Sequence, residues 1–382
     1  MRSGMQGSLV TSRAWVEVNL DALRHNIALC RQQLSPQASI WAVVKANAYG
    51  HGAVLTSLAL VEAGVEAGVE GLCVATLSEG IELRTAGLSC PILILGALNT
   101  LVEWQTAVFH RLEPTLTHPA QIPLAIQSAA QRPTPLHLNV DTGMTRLGIP
   151  WQQAGEVWAM LINHPALDCR SLYSHLATAD EVDPTVMRLQ QTRFQQVIDD
   201  LHRLGRGIPV LHLDNSAGLL TLPAGHFQRV RLGLVLYGIP PADHLRQHLA
   251  PPALQPVLTI KARITHLQWA EPGTGVSYGH RHVCAHRTHV ATVGIGYADG
   301  IPRRLSGWIQ ASVRGQVIRQ IGTITMDQCM WDVTDISSVQ IGDEVRLLAP
   351  PQGVEAWAEQ LGTIPYEILC GLSARLPRLG VD

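Results

Sequence analysis

Lysine is scarce in this chain, and the position of one lysine suggests covalent chemistry. Of the 28 basic residues, only Lys45 and Lys261 are lysines. Lys45 ends the apolar run IWAVV, where a charged amine is costly to bury because it loses its hydration. Desolvation also lowers the pKa of an amine, so that it can attack a carbonyl group. Two interpretations follow for Lys45: a lysine that forms a Schiff base, or a lysine that reaches a carboxylate partner.

Four other residues in or beside the apolar runs are candidates for a functional site. Arg231 has apolar neighbours in VRLGLVLYG, which favours an interior role over a surface ion pair. His175 lies in RSLYSHLA, where a lone histidine is usually a hydrogen-bonded core residue. Ser216 and Gly233 fall near the loops that follow the last two apolar runs, where barrels bind phosphate. An ordinary strand or bulge glycine remains an alternative interpretation of Gly233.

A histidine-rich stretch raises the question of a metal. His280, His282, Cys284 and His286 lie two residues apart and would share one face of an extended strand. Imidazole and thiolate are zinc ligands. Four positions along one strand span too far to converge on one ion, so we expect a solvated hairpin and no metal site.

The elements that must position these residues alternate regularly. Eight short apolar runs separated by helical patterns predict a (β/α)8 barrel rather than an open sheet. The runs are IWAVVKA (40–46), GLCVATL (71–77), PILILG (91–96), EPTLT (113–117), PLHLNVD (135–141), RSLYSHLA (170–177), VLHLDN (210–215) and VRLGLVLYG (230–238). Barrel active sites lie at the C-terminal ends of the strands, which is where Lys45 falls.

The sequence changes character after the eighth run. The stretch GIPPADHLRQHLAPPALQP (238–256) is rich in proline and is typical of a linker. The runs that follow alternate in the manner of antiparallel β-structure. We therefore predict an α/β protein with an N-terminal (β/α)8 TIM-like barrel over residues 12–250 and a C-terminal, mostly-β domain over 251–382. Residues 12–20, which include the run WVEVNL, are candidates for the second sheet.

Composition excludes several classes of protein. The formal net charge of −2 argues against a nucleic-acid-binding protein, and 46% hydrophobic with 15% charged residues argues against disorder. No apolar run reaches the ~18 residues that a membrane span needs. The seven cysteines lack a C-x-x-C pair, which fits a reducing compartment. With no apolar signal-peptide core at the N-terminus, we expect a cytoplasmic protein.

A series of motifs runs through nearly the whole chain. They are VVKANAYGHG (43–52), NVDTGMTRLG (139–148), SLYSHLATADE (171–181), NSAG (215–218), VRLGLVLYG (230–238), GVSYG (275–279), GIGYADG (294–300) and GTITMDQ (322–328). In this order they resemble the motifs of the alanine racemase family, and the first is similar to its pyridoxal-phosphate lysine motif. The resemblance implies an α/β barrel followed by a β domain, in agreement with the division predicted above. It also implies a homodimeric racemase that interconverts L-alanine and D-alanine and supplies D-alanine for peptidoglycan.

By the same resemblance, the barrel binds pyridoxal 5'-phosphate, with Lys45 as its Schiff-base residue. Other positions match cofactor-binding residues of the family: Tyr49, His175, Asn215, Ser216, Arg231, Gly233, Leu234 and Tyr237. Arg231 is expected to face the pyridine nitrogen, and a permanently charged guanidinium disfavours a proton there. The ring is then a weaker electron sink, which favours reprotonation of the substrate over transamination. His175 is expected to pack near the ring and to help hold Arg231.

Racemisation needs a base on each face of the substrate carbon. The resemblance assigns these catalytic roles to Lys45 and to Tyr278, with Tyr278 lent by the partner subunit. A tyrosine phenol titrates near pH ~10, so it needs cationic neighbours to act as a base. Further positions match substrate-binding residues (Arg146, Met326 and Asp327) and entrance residues (Tyr297, Arg303 and Asp180).

Three positions depart from the pattern of many relatives. Asn139 stands where relatives carry a carbamylated lysine that orients the arginine matched by Arg146. Because an unpaired buried guanidinium is costly, we hypothesise that a small anion such as chloride lies beside Asn139 and Arg146. Ala374 replaces a tyrosine and Thr323 an arginine of the entrance, which suggests a more open entrance and leaves strict alanine specificity in question.

Three other functions remain open at this point. A racemase of broader range, acting for example on serine, would share every motif, because a pocket rejects an added hydroxyl only modestly by shape. A related barrel decarboxylase would need acidic groups for a distal ammonium. A non-enzymatic cofactor carrier would lack the second domain, which here contains GVSYG and ITMDQ.

Overall fold

The computed structural model describes residues 12–67, 69–205, 209–222, 227–248, 253–350 and 352–382. These residues form two compact units. The barrel unit lies within Asp21–Ala48 and Gly52–Gln255, and the sheet unit comprises the described residues up to Leu20, Tyr49–His51 and Pro256–Asp382. The domain boundary predicted at residues 250 and 251 lies outside the described residues.

Eight parallel strands close into a barrel. In chain order they are Ser39–Val43, Val69–Val74, Ile92–Ala97, Glu113–Leu116, Thr134–Asp141, Leu167–Tyr173, Val210–His212 and Arg229–Leu232. Neighbours in the chain are neighbours in the sheet, and the last strand pairs with the first. A two-residue strand, Ile149–Pro150, adds to Thr134–Asp141. The predicted (β/α)8 barrel is confirmed.

Helices connect the strands as a parallel sheet requires. The longer ones are Leu20–Gln32, Ala53–Ala67, Leu77–Thr85, Leu101–Phe109, Ile122–Ser128, Ala154–Ile162, Thr185–Arg203 and Ser216–Thr221, with shorter turns at Pro119–Gln121, Trp151–Gln153, Leu234–Tyr237 and Asp243–His248. Two of them begin with reciprocal caps, in which Thr76 and Thr100 accept from the backbone of Glu79 and Glu103 and the two glutamates accept in return.

The barrel strands bury both apolar and polar side chains. Leu72, Ile94, Leu138 and Leu232 are inaccessible to solvent, as expected for a sheet covered on both faces. Five of the barrel strands also bury polar side chains, namely Thr115, His137, Ser171, His212 and Arg231. Buried polar groups must be hydrogen-bonded, so these residues constrain one another.

The sheet unit is antiparallel apart from one pair of strands. Its strands are Ala14–Asn19, Leu258–Ala270, Thr288–Val293, Gln310–Val313, Gln316–Ile321, Cys329–Asp332, Glu344–Leu347 and Arg378–Val381, with a small hairpin of Gly275–Val276 and His282–Val283. The early strand Ala14–Asn19 lies in this sheet, antiparallel to Leu258–Ala270 and parallel to Arg378–Val381. Helices Val354–Leu361 and Pro365–Cys370 and turns Tyr278–His280, Tyr297–Asp299 and Arg303–Leu305 complete the unit.

Within the described ranges, no helix combines the length and the apolar character that a bilayer span requires.

Asn26 ties the end of the barrel unit to its first helix, and its loss should destabilise the protein. The buried side chain donates to the carbonyls of Leu236 and Gln255 and accepts from the Gln255 backbone N–H. Asn26→Leu keeps the volume but leaves these groups unpaired, so we expect a loss of about 2–4 kcal/mol of stability. Urea unfolding monitored by tryptophan fluorescence measures the loss.

Arg24→Ala is the matched control for Asn26→Leu on the same helix. Arg24 makes an exposed ion pair with Asp21, and its removal should change stability by less than about 0.5 kcal/mol. Equal unfolding midpoints for the two variants would contradict the anchoring role of Asn26.

Candidate active site

The segment that follows Lys45 has an unusual backbone. Ala46, Asn47, Ala48 and Tyr49 all have φ between 52° and 54°, in the left-handed region. This conformation costs about 1–2 kcal/mol for each L-residue. Lys45 therefore leaves the strand Ser39–Val43 and enters a strained left-handed turn, not an ordinary helix.

Side-chain hydrogen bonds hold this turn in place. Glu79 Oε1 accepts from the Ala46 N–H at 2.7 Å, while Glu79 Oε2 accepts from the Ala75 N–H at 2.7 Å. Asn47 Oδ1 accepts from the Ala53 N–H at 2.8 Å. The capping glutamate of a neighbouring helix thus also stabilises the strained backbone beside Lys45.

Arg231 is buried among acceptors at the end of its strand. One terminal nitrogen contacts His212 Nδ1 at 2.8 Å, and the other donates to the carbonyls of Ser174 and Leu213 at 2.6 and 3.2 Å. The guanidinium also lies 4.9 Å from the ring centroid of Tyr173, a cation–π contact. Burial lowers the pKa of Arg231, but a guanidinium remains protonated in proteins.

His175 lies beside Arg231 and within the electrostatic reach of two other cationic side chains. Its Nδ1 lies 3.4 Å from Arg231. Burial, followed by the charges of Arg231, Arg146 and Lys45, lowers the pKa of His175 to about 3. The imidazole is therefore neutral at pH 7, and three cationic side chains act on one point at the ends of the barrel strands. Such a site suits an anionic ligand.

Two backbone turns meet beside this site. Asn215 caps the helix Ser216–Thr221 by accepting from the N–H groups of Ala217 and Gly218. Ser216 Oγ accepts from the Gly233 N–H at 3.0 Å, just before the turn that begins at Leu234. A hydroxyl group, a side-chain amide and backbone N–H groups therefore lie together here, and these are the kinds of group that bind phosphate.

Two tyrosines of the predicted site lie in different units. Tyr237 is buried and donates through its hydroxyl to the Val43 carbonyl at 2.9 Å, which braces the strand that leads to Lys45. Tyr49 is grouped with the sheet unit, where its ring centroid lies 5.6 Å from that of Tyr366. The phosphate contact of Tyr49 stays a prediction.

The anion hypothesis concerns an unpaired, buried guanidinium at Arg146. Arg146 is exposed in the single chain. Asn139 is buried and hydrogen-bonded to Tyr173, whose hydroxyl also lies 2.9 Å from Thr115 Oγ1. Asn139 thus has a structural role in the barrel interior, and the chloride ion stays a prediction.

Tyr278 projects from a turn in the sheet unit that two side-chain hydrogen bonds hold in place. Its side chain is 71% exposed. Thr323 Oγ1 donates to the Tyr278 carbonyl at 2.9 Å, and Ser277 Oγ donates to the Thr323 carbonyl at 2.7 Å. Ser277 has φ 62° and ψ −170°, a combination found almost only for glycine. The backbone at Tyr278 is therefore fixed although its ring is in solvent.

The segment of Thr323, which binds the Tyr278 carbonyl, also contains Met326 and contacts the backbone of Tyr297. The Tyr297 N–H donates to the Thr325 carbonyl and the Ala298 N–H to the Met326 carbonyl, both at 3.0 Å. This close approach requires Gly296, because a Cβ there would lie 2.3 Å from the Thr325 oxygen. Tyr297 and Met326 are 41% and 53% exposed, so the segment groups them with Tyr278 as exposed side chains.

The remaining predicted residues lie at the surface of their units. Asp327 forms an ion pair with Arg375 at 2.7 Å, close to the buried Asp299. Arg303 and Ala374 are exposed in the sheet unit, and Asp180 is exposed in the barrel unit. The entrance roles of Arg303 and Asp180 are not tested by these positions.

The histidine-rich stretch does not converge on a metal. Cys284 is buried in an apolar cluster with Val276 and Val290, whereas His280 and His286 are exposed. Across the described part of the chain, no three His, Cys, Asp or Glu side chains are grouped to hold a metal ion.

Several residues of the site were not singled out in the sequence. His212 and Tyr173 contact Arg231, Glu79 holds the turn after Lys45, and Ser277 stabilises the Tyr278 turn. A signal existed for His212, because VLHLDN places a histidine in an apolar strand just as RSLYSHLA does for His175.

Family models and solved structures match both units. The model "Alanine racemase, N-terminal domain" matches residues 18–241, and "Alanine racemase, C-terminal domain" matches 257–380. Alanine racemase of Clostridium difficile 630 has a TM-score of 0.90 at 33% identity, covering 97% of this chain and 96% of that chain. The alanine racemase of Bacillus anthracis with bound L-Ala-P has a TM-score of 0.87 at 33% identity, covering 97% and 95%.

Sequence relatives cover almost the whole length of the chain. An alanine racemase of Nostoc sp. is 47% identical over 380 residues, which are 97% of this chain and 96% of the relative. An alanine racemase of Synechocystis sp. is 47% identical over 377 residues, which are 97% of this chain and 100% of the relative. On these matches, the chain belongs to the alanine racemase family.

Proposed function

We propose that this chain is an isomerase that interconverts L-alanine and D-alanine with pyridoxal 5'-phosphate as its cofactor. The observation that carries the proposal is the cationic site around His175, on which Lys45, Arg146 and Arg231 all act. Such a site fits a cofactor that has a phosphate group and a carbonyl that an amine can attack, together with a substrate that has a carboxylate. The D-alanine formed would serve peptidoglycan synthesis.

The residues present fit this cofactor. Lys45 would hold it through its amine, and Ser216, Gly233 and Leu234 would bind its phosphate with hydroxyl and backbone donors. When bound, pyridoxal phosphate withdraws electrons from the substrate and acidifies its Cα–H. Arg231 cannot accept a proton, so it would keep the ring nitrogen unprotonated and limit this withdrawal.

Two proton-transfer groups would serve opposite faces of the substrate. Lys45 would move the proton on one face. Tyr278 of a second copy would move it on the other, with the Met326 backbone of that copy meeting the substrate carboxylate. The exposure of Tyr278, Met326 and Tyr297 supports a homodimer in which these side chains become buried. Racemisation of serine and an anion beside Arg146 stay predictions for the same site.

The scarcity of lysine permits a sharp test of Lys45. Borohydride reduction of the protein loaded with pyridoxal phosphate should place the label on Lys45, as read by peptide mapping. Lys45→Ala should lose the visible absorbance together with D-alanine formation, because no other group can replace the amine.

Lys261 is the matched control for Lys45. Its amine lies 2.7 Å from Glu17 and 3.4 Å from Glu344, both in the sheet unit. Lys261→Arg should keep the label and the rate of racemisation. Label recovered on Lys261, or D-alanine produced by Lys45→Ala, would refute the assignment.

Tyr278→Phe should slow racemisation at least about 100-fold while the cofactor stays bound, since removing a proton-transfer group costs ~10²–10⁴-fold. Heterodimers of Lys45→Ala and Tyr278→Phe chains should recover part of the activity, because one of their two sites contains both groups. Chiral chromatography of L-alanine reactions measures both effects. Verified heterodimers without activity would exclude the shared site.

The hydrogen bond from Thr323 to the Tyr278 carbonyl predicts that its loss lowers the rate of racemisation without changing substrate binding. Thr323→Val removes the hydroxyl that donates to the Tyr278 carbonyl, so kcat should fall about tenfold with KM within about twofold. Thr323→Ser restores the donor and should recover most of kcat. Thr265→Val, which removes a surface hydroxyl bonded to the Thr292 carbonyl, is the control. Equal kcat values in the Val and Ser variants of Thr323 would contradict this role of the Thr323 hydroxyl.

A further inference from the structure

A continuous series of hydrogen bonds crosses the interior of the barrel. It begins at a carboxylate, passes through two imidazoles and a hydroxyl, and ends at a guanidinium. The contacts are Glu113 Oε2 to His137 Nε2 at 2.8 Å, His137 Nδ1 to Ser171 Oγ at 2.5 Å, Ser171 Oγ to His212 Nε2 at 2.7 Å, and His212 Nδ1 to Arg231 at 2.8 Å. We refer to these five residues as the interior relay.

Each residue of the interior relay comes from a different strand. The strands are Glu113–Leu116, Thr134–Asp141, Leu167–Tyr173, Val210–His212 and Arg229–Leu232, which are successive neighbours around the barrel. His137 and Ser171 are direct partners in the register of their strands. His137, Ser171 and His212 are inaccessible to solvent, so the protein itself must satisfy their polar groups.

With both imidazoles neutral, one arrangement of protons gives every contact a donor and an acceptor and leaves no polar hydrogen of the interior relay unpaired. Arg231 can only donate, so His212 Nδ1 must be an acceptor and His212 Nε2 must carry the proton. That N–H donates to Ser171 Oγ, and the Ser171 hydroxyl then donates to His137 Nδ1. His137 Nε2 carries the proton and donates to the Glu113 carboxylate, which accepts.

The reversed arrangement fails at Arg231. If Glu113 donated to His137, His137 Nδ1–H would donate to Ser171 Oγ. Were Ser171 Oγ to accept from both imidazoles, its own hydrogen would have no acceptor within the interior relay. Were it to donate to His212 Nε2 instead, His212 Nδ1–H would point at an N–H of Arg231. Two donors would then face each other in a buried site, which leaves both unsatisfied. The carboxylate at one end and the guanidinium at the other therefore determine the tautomers of both histidines.

The electrostatic environment supports neutral imidazoles and an ionised carboxylate. Burial lowers the pKa of His212 and of His137. Burial acts to raise the pKa of the Glu113 carboxyl, but the hydrogen bond from His137 and the charges of Arg170 and Arg229 hold it below its usual range.

The rings have little freedom to turn. The Tyr173 ring stacks on His212 with centroids 4.7 Å apart and an interplanar angle of 17°. Trp41 packs edge-on against His137 at 5.7 Å. The interior relay therefore has rigid members whose protons, not ring positions, respond to a change at either end.

We propose that Glu113 is a positioning residue for Arg231, acting through His137, Ser171 and His212. Its carboxylate accepts from His137 and so favours the same direction of the interior relay that Arg231 requires, with a lone pair of His212 facing the guanidinium. This inference rests on the proposed function for its consequence, because Arg231 is the group expected to face the cofactor's ring nitrogen. The direction of the relay is a property of the chain alone.

The tautomers of the two histidines test the direction. Full-length protein labelled with ¹⁵N-histidine is examined by NMR before and after pyridoxal phosphate is added, with His137→Gln and His212→Gln used for assignment. We expect both residues to carry the proton on Nε2 in both states. A proton on Nδ1 of His212 would overturn the proposal, whatever the activity of the protein.

Variants of Glu113 test the positioning role. Glu113→Gln keeps an acceptor for His137 and should keep the wild-type tautomers. Glu113→Leu removes the acceptor, so His137 should move its proton to Nδ1 and weaken the hold on Arg231. A loosened Arg231 should raise transamination, measured as pyruvate formed per D-alanine formed, about tenfold in Glu113→Leu and less than about twofold in Glu113→Gln.

Ser171→Ala provides a second route should Glu113→Leu not fold, because it breaks the interior relay at its centre. Its control is Ser128→Ala, which removes another buried hydroxyl outside the interior relay, bonded to the Ala125 carbonyl. Ser171→Ala should raise the transamination ratio and Ser128→Ala should not. Equal ratios in the two serine variants would overturn the positioning role. Absence of racemisation in the unmodified protein would instead refute the proposed function and leave the tautomer result standing.

Discussion

A permanently charged guanidinium lies inside a barrel of apolar strands, and the arrangement of the barrel site follows from the need to satisfy it. Arg231 cannot lose its proton, so burial must be offset by acceptors. Backbone carbonyls at Ser174 and Leu213, the imidazole of His212 and the ring of Tyr173 fill this role. They come from the ends of two neighbouring strands, Leu167–Tyr173 and Val210–His212, so the charge can be held only when these strands are paired beside Arg229–Leu232.

Backbone strain is the second shared constraint, and both units stabilise it in the same way. The left-handed turn after Lys45 and the glycine-like conformation of Ser277 each lie beside a residue proposed to move a proton. In both cases a hydrogen bond to a residue elsewhere in the same unit holds the segment: Glu79 accepts from the Ala46 N–H in the barrel, and Thr323 donates to the Tyr278 carbonyl beside Ser277 in the sheet. Strain of this kind persists only where the surroundings over-determine the geometry.

Much of the fold could be predicted, because a buried parallel strand leaves an apolar run that is visible in the sequence. Lys45, His175 and Arg231 were also recognisable, since a polar residue stands out in such a run. The interior relay was not, because the register between strands decides whether His137 and Ser171 meet, and no local pattern contains it. The left-handed turn was equally hidden: KANAY has ordinary helix formers, and contacts from Glu79 override their preference.

The two proposed proton-transfer groups differ in how far their side chains are exposed to solvent. Lys45 is half-buried at the end of a barrel strand, in a site that its own unit completes with Arg231 and His175. Tyr278 has a rigid, strained backbone but a ring that is 71% exposed. A protein gains nothing for its own core by fixing the backbone beneath a solvated side chain. The combination makes sense when the ring must meet a second surface in one orientation, so the strain at Ser277 and the exposure of Tyr278 support the same arrangement of two chains.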